Sequence, residues 1–126
     1  MPNFKLDTKE KFHTITLETN LDAAITAGEL RHILEAPLEK QTRNVILNLQ
    51  GVQAINTQNA ALLAETASRY MEANASFVVC CVSPQVRKVL DELEQADLLN
   101  ITPTESEAWD IVQMEEIERE LLSDED

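Results

Sequence analysis

The stretch Val45-Ile46-Leu47-Asn48-Leu49-Gln50-Gly51-Val52-Gln53-Ala54-Ile55-Asn56-Thr57-Gln58-Asn59-Ala60 decides the fold. Val45 to Leu49 is more apolar than the strands upstream and suits a central strand covered more heavily than they are. Past the polar junction Asn56-Thr57-Gln58-Asn59, the residues Ala60, Leu63, Ala64, Ala67 and Met71 recur at helical spacing. A helix is therefore predicted from about Asn59 to Ala73, with Glu65, Ser68, Arg69 and Glu72 on its polar side. Leu62 falls roughly opposite the apolar stripe and is expected to be exposed, either as an anchor for a partner or as one more exposed leucine of no consequence. A hydroxyl at a helix N-terminus meets unpaired N–H groups and the positive end of the helix dipole, surroundings that suit a phosphate placed on it. Thr57 carries that hydroxyl. The plainer reading is that Asn56 or Thr57 only caps the helix, which is worth about 1 kcal/mol, and the residues by themselves favour it.

Outward from this stretch the pattern continues. Phe4-Lys5-Leu6-Asp7-Thr8 and Phe12-His13-Thr14-Ile15-Thr16-Leu17 alternate apolar with polar residues about Lys9-Glu10-Lys11, which predicts an antiparallel hairpin with one buried and one wet face. His13 is expected to be exposed or half-buried. Leu21-Asp22-Ala23-Ala24 leads into a first helix, with Thr26 and Glu29 at capping-box spacing and an apolar stripe of Leu30, Ile33 and Leu34, ended by Pro37. Ser76 to Val82 reads as a second central strand, and Ser83-Pro84 as a helix start with serine at the cap and proline in the first turn. Val86, Val89, Leu90 and Leu93 face the core; Leu98 to Ile101 reads as a short last strand. Thr104-Glu105-Ser106-Glu107 opens a final helix with Trp109, Val112 and Ile117. Strands alternating with helices from Val45 onward define one α/β sandwich: a mixed β-sheet with an N-terminal hairpin and helices packed on it. Residues 1–113 form this domain, and residues 114–126 form an acidic C-terminal helical extension or tail. Ile117 and Leu121 are expected to dock one stripe of that extension on the domain, and the acidic end is expected to fray at a helix C-terminus.

With 126 residues, 44% of them hydrophobic, the chain suits one domain with a real core. A formal charge of −13 argues against a nucleic-acid partner, which needs a basic patch. Ten acids against one arginine lie from Thr104 onward, so most of this acidity is C-terminal and, by default, solubilising. No apolar run is long enough for direct membrane insertion, and Met1-Pro2-Asn3-Phe4-Lys5 lacks the apolar core of a secretory signal. Cys80-Cys81 lies in an apolar run, where strand neighbours point to opposite faces, so both are read as small packing residues and the compartment as the cytoplasm. His13 and His32 stand on different elements without ligand spacing, so no metal site is expected. With only Gly28 and Gly51, a glycine-rich phosphate cradle cannot be built, and no catalytic motif or cofactor fingerprint is present. An enzyme is not expected.

Four stretches then carry a resemblance: Thr19-Asn20-Leu21-Asp22, Val45 to Val52, Asn56-Thr57-Gln58-Asn59, and Phe77 to Leu90. Their order and spacing resemble the STAS family, the anti-sigma factor antagonist domain, over roughly Phe4 to Val112. Asn56-Thr57-Gln58-Asn59 stands in the place of that family's Asp-Ser-Ser-Gly or Asp-Thr motif, and Thr19 to Asp22 is similar to its Thr-Gly-Glu-Leu-Asp segment without the glycine. The resemblance implies a cytoplasmic bacterial regulator that binds an anti-sigma factor or serine/threonine switch kinase, or another STAS-binding protein; a weak homodimer is compatible with it. It also implies that the kinase phosphorylates the residue after the motif's acid, here Thr57. The unmodified form would hold the kinase and free a sigma factor, and the phosphorylated form would let go. Asp22, Asn56, Gln58, Asn59 and Leu62 are then the partner-facing candidates. Asn56 replaces the motif's acid, Gln58 a small hydroxyl residue and Asn59 its glycine. A second implied role is a phosphorylation-independent adaptor subunit of a larger assembly, such as a lipid-transport ATPase.

Overall fold

Five strands lie side by side in chain order: β1 (Phe4–Thr8), β2 (His13–Leu17), β3 (Val45–Asn48), β4 (Phe77–Cys80) and β5 (Asn100–Thr102). The computed structural model describes residues 4–23 and 25–124; the expectations resting on residues 1–3, on Ala24 and on the terminal residues 125–126 lie outside the described residues. β1 runs antiparallel to β2, with Leu6 opposite Ile15, whereas β2, β3, β4 and β5 are parallel to one another. The parallel strands need crossovers, and helices supply them. α1 (Ala27–Glu35) joins β2 to β3, α2 (Thr57–Glu72) joins β3 to β4, α3 (Pro84–Asp91) joins β4 to β5, and α4 (Glu105–Asp124) follows β5. Short 3₁₀ turns at Ala36–Glu39 and Ala96–Leu98 complete the connections. The chain is the mixed-sheet α/β sandwich that its pattern predicts.

The helix starts follow from their residues. Thr26 and Glu29 form the reciprocal capping box before α1. The Thr26 N–H, then the Thr26 hydroxyl, both donating to the exposed Glu29 carboxylate, hold it below its ordinary pKa. Ser83 caps α3 with Pro84 in its first turn, and Thr104 Oγ1 accepts the Glu107 N–H before α4. β4 stops at Cys80 because Cys81 turns to φ 62°, the left-handed region. That turn corrects the expectation of opposed cysteines. Cys80 is buried, Cys81 is half-buried, and their sulfurs lie 3.4 Å apart as free thiols. Burial, and then the neighbouring Cys81 thiol, push the Cys80 pKa up, so it is a poor nucleophile.

β3 and β4 are buried on both faces and sort their side chains between two cores. Val45, Leu47, Phe77 and Val79 point toward α1, α2 and α3, into a large core that includes Leu30, Leu34, Leu63, Tyr70, Val86 and Leu90. Ile46, Val78 and Cys80 point to the opposite face, where Phe12 and the α4 residues Ala108 and Val112 meet them. Tyr70 is fully buried, donates its hydroxyl to the Leu34 carbonyl and packs on Phe77 with ring centroids 5.1 Å apart. Burial raises its pKa.

Several expected exposures are reversed. Leu62 is buried, because α2 packs between α1 and α3 and hides a broader arc than one stripe; Thr66 on the same side returns its hydroxyl to the Leu62 carbonyl. Met71 is exposed instead, since it occupies the last turn beside an open hollow lined by Ala67, Asn74, Leu98 and Leu122. His13 is buried, with Nδ1 at 3.0 Å from Thr8 Oγ1 and Nε2 at 2.8 Å from the Thr42 carbonyl. β1 has no buried face at all. Ile117 and Leu121 do not dock: both are exposed, because Ala108, Val112, Glu115 and Arg119 form the face of α4 that meets the sheet.

Candidate functional site

The junction sits where β3 leaves the sheet. Gly51 makes the exit possible: a Cβ there would stand 2.8 Å from the Leu17 carbonyl oxygen and 3.1 Å from Glu18 Cα, both backbone atoms. The chain then runs alongside the segment after β2. Leu21 N–H donates to the Ala54 carbonyl and Asn56 N–H donates to the Leu21 carbonyl, each at 2.8 Å, around a parallel bridge between Leu21 and Ile55. Asn20 Oδ1 accepts the Gln53 N–H at 2.7 Å. The Thr19–Asp22 and Asn56–Asn59 segments, far apart in sequence, therefore lie side by side. Asp22 is half-buried beside this bridge.

Asn56 is the N-cap of α2. Its φ of −90° and ψ of 167° are extended, and its Oδ1 accepts the Asn59 N–H at 2.8 Å. Helix α2 thus begins at Thr57, two residues before the predicted start. Thr57, at the first helical position, is exposed, and among the described residues no hydrogen bond engages its hydroxyl. Gln58 is exposed next to it. Asn59 is buried and its Nδ2 donates to the Leu21 carbonyl at 3.0 Å, so its amide ties the two segments together. Its Oδ1 is buried without a partner among the described residues. The exposed surface at the junction thus comprises Asn56, Thr57 and Gln58, flanked by Asp22; the side chains of Asn59 and Leu62 lie beneath it.

Sequence reasoning missed a second polar assembly, at the opposite end of the strands. Asn44, just before β3, donates Nδ2 to Glu116 Oε2 at 2.8 Å and to the Lys11 carbonyl at 2.9 Å. Its Oδ1 accepts from the Ser76 N–H at 2.8 Å and from Arg119 Nη2 at 3.0 Å. Arg119 also reaches Ser76 Oγ at 3.1 Å and Glu116 Oε2 at 2.9 Å, and Ser76 Oγ donates to Glu115. The Asn44 amide, then Arg119, hold the Glu116 carboxyl below its ordinary pKa. The spacing of Ala108, Val112, Glu115 and Arg119 along α4 is the signal that would have found this face. Among the described residues no group of three or more His, Cys, Asp and Glu is placed to hold a metal, and no helix is long and apolar enough to cross a membrane.

A five-stranded mixed sheet in chain order, with helical crossovers and an exposed β3–α2 junction, defines an α/β class of domain. The STAS domain family model matches residues 3–108, and the chain belongs to the STAS domain family. No curated protein sequence matches the chain. Among solved structures, it is similar to a putative anti-sigma factor antagonist from Thermotoga maritima, with a TM-score of 0.77 at 17% identity over 87% of this chain and 94% of that one. It is similar to an anti-sigma factor antagonist from Mycobacterium paratuberculosis, with a TM-score of 0.77 at 16% identity over 90% and 95%. It is also similar to the anti-sigma factor antagonist SpoIIAA in its unphosphorylated form, with a TM-score of 0.69 at 21% identity over 88% and 96%. At these identities the likeness is one of fold.

Proposed function

We propose that the protein is a non-catalytic, cytoplasmic regulatory module of the anti-sigma factor antagonist type. It binds an anti-sigma factor or serine/threonine switch kinase through the surface of Asp22, Asn56, Thr57 and Gln58, with residues 114–126 as an acidic C-terminal extension or tail. The observation that carries this reading is the exposed Thr57 hydroxyl, unengaged among the described residues, at the start of a capped helix. Phosphorylation there would add about −1.5 to −2 charges, seated favourably on the N-terminus of α2 and repelling an acidic partner face. Asn59 and Leu62 act from beneath, by fixing the junction and the helix.

A second reading, the phosphorylation-independent adaptor, is favoured by one detail. Asn56, in the place of the motif's acid, spends its side-chain oxygen on the cap, so it does not orient the Thr57 hydroxyl.

The deciding experiment is co-purification from the native cells with phosphatases blocked, followed by mapping of phosphate by mass spectrometry. A kinase partner that transfers phosphate from ATP to Thr57, and that releases the Thr57→Glu variant, supports the switch. A transporter ATPase partner that holds both wild type and Thr57→Ala, with Thr57 unmodified, sinks the switch in favour of the adaptor.

A further inference from the structure

β1 is an open sheet edge with a self-complementary pattern. All five of its residues are exposed, and its outer side pairs with no strand among the described residues. Lys9 N–H donates to the Phe12 carbonyl at 2.8 Å, and His13 N–H donates away from β1, to the Asn44 carbonyl at 2.8 Å. In an antiparallel ladder this phase turns the backbone groups of Lys5 and Asp7 toward β2, and those of Phe4, Leu6 and Thr8 outward. The side chains of Phe4 and Leu6 lie 43% and 50% exposed on the α1 side, where they line a groove of about 330 Å³ with Ile15, Ile33 and Pro37. Lys5 and Asp7 lie on the other side of the strand.

We propose that a second copy of this chain adds to the sheet antiparallel through β1, in the register centred on Leu6, and joins the two sheets into one. In that register Phe4 and Thr8 exchange backbone bonds with Thr8 and Phe4 of the second copy, and Leu6 meets its own counterpart. Lys5 falls opposite Asp7 of the second copy, and Asp7 opposite its Lys5, at the close, non-hydrogen-bonded positions of the new ladder. The neighbouring registers are worse. Centring on Lys5 sets lysine against lysine, and centring on Asp7 sets aspartate against aspartate, both destabilising in direct opposition. The pairs these side chains make within one copy, Lys5 with Glu18 at 3.5 Å and Lys9 with Asp7 at 3.1 Å, are exposed and readily exchanged. On the other face Leu6 stacks on Leu6 across the two-fold axis, and the two apolar grooves become one. Charges on an edge strand usually discourage such pairing; here their order selects one register. The acidic helix α4 packs mainly over β3, β4 and β5, and where it approaches the turn after β1 its Glu120 is paired with Lys11 at 3.4 Å.

Sedimentation equilibrium of the full chain tests this, with circular dichroism confirming that each variant is folded. Wild type is expected to dimerise reversibly. Lys5→Asp alone and Asp7→Lys alone each remove two cross-strand pairs and set like charges opposite, so each weakens association about tenfold. The combined Lys5→Asp, Asp7→Lys variant restores complementarity and recovers to within about threefold of wild type. Recovery is the discriminating result, because loss of a merely structural contact would not be repaired by exchanging the two charges. A chain that stays monomeric at every concentration overturns the proposal. So does a dimer indifferent to both single substitutions, which would place the interface elsewhere, for instance on the exposed Ile117 and Leu121 side of α4. A combined variant no better than the singles overturns it as well.

Discussion

The two faces of the sheet are covered by different means. Toward α1, α2 and α3 the cover is a continuous apolar core in which Leu30, Leu34, Leu63 and Leu90 are fully buried. Toward α4 the apolar cover is small and spans Ala108 and Val112, with Trp109 edge-on to Phe12 at 5.1 Å. Beyond Val112, the contacts to the domain are mainly polar, through the cluster of Asn44, Ser76, Glu115, Glu116 and Arg119 and through Lys11, paired with Glu120 at 3.4 Å. Burial of apolar surface is non-directional and large in sum, whereas each net hydrogen bond contributes about 1 kcal/mol and needs its geometry. The first face therefore holds most of the fold, and the distal half of α4, latched chiefly by polar contacts, is expected to open without unfolding the rest. The junction bearing Thr57 is built on the strongly held face. A firmly packed seat is compatible with the recognition proposed for the Thr57 surface.

The largest expected effect comes from attacking the apolar face. Leu63 is completely buried in α2, so Leu63→Ala removes a full side chain and leaves a cavity, at a cost of about 2–5 kcal/mol. Urea unfolding should show the whole chain losing stability together, with an unchanged slope. If only α2 loosened while the strands kept their midpoint, the core would not be one cooperative unit and the contrast between the faces would fail.

Arg119→Ala probes the other face, with a smaller effect. The arginine is partly buried and satisfies Asn44, Ser76 and Glu116 at once, so its loss should cost about 1–2 kcal/mol. The cost should be local. Amide hydrogen exchange from Glu115 to Leu122 should accelerate, while amides of β3, β4 and α2 keep their protection. Uniform acceleration would mean that the latch is part of the global fold.

This contrast also explains how much could be read from the chain alone. Elements whose start is encoded by neighbours in sequence were legible. The Thr26 and Glu29 box, the Ser83-Pro84 start and the β3-to-α2 junction all appear within two residues of the predicted places. Burial set by a third element was not legible. Leu62 is covered because helices flank α2 on both sides, and His13 because Thr42 folds across it. The docked face of α4 was misread for a related reason. Hydropathy picks out Ile117 and Leu121, but the sheet ends it reaches present Asn44 and Ser76, so the residues that dock are Glu115, Glu116 and Arg119. At the candidate site, the junction around Thr57 is singled out by its own residues, and the structure places it at the start of α2. The burial of Asn59 depends on a carbonyl contributed by Leu21, distant in sequence, and nothing local announces it.

The finest test of the latch is its response to acid. The Glu116 carboxyl accepts from the Asn44 amide and from Arg119, and these bonds, helped by the nearby Lys11, outweigh the cost of its partial burial. Its pKa in the folded chain is therefore below the ordinary 4.5. A carboxylate with a depressed pKa stabilises the fold fully above its unfolded pKa, and that contribution is lost as pH falls through the folded one. The latch should accordingly be indifferent to pH in the neutral range and loosen only below 4.5. Glu116→Gln keeps the shape but removes the charge. Its cost at neutral pH should be about 1 kcal/mol for a half-buried pair, and the gap between variant and wild type should close as the wild-type carboxylate protonates. Chemical-shift titration of the α4 amides in both proteins reads this directly. Equal acid responses in the two would assign the loosening to other carboxylates on this face, such as Glu115, which accepts from Ser76 Oγ, or Glu120, 3.4 Å from Lys11 Nζ.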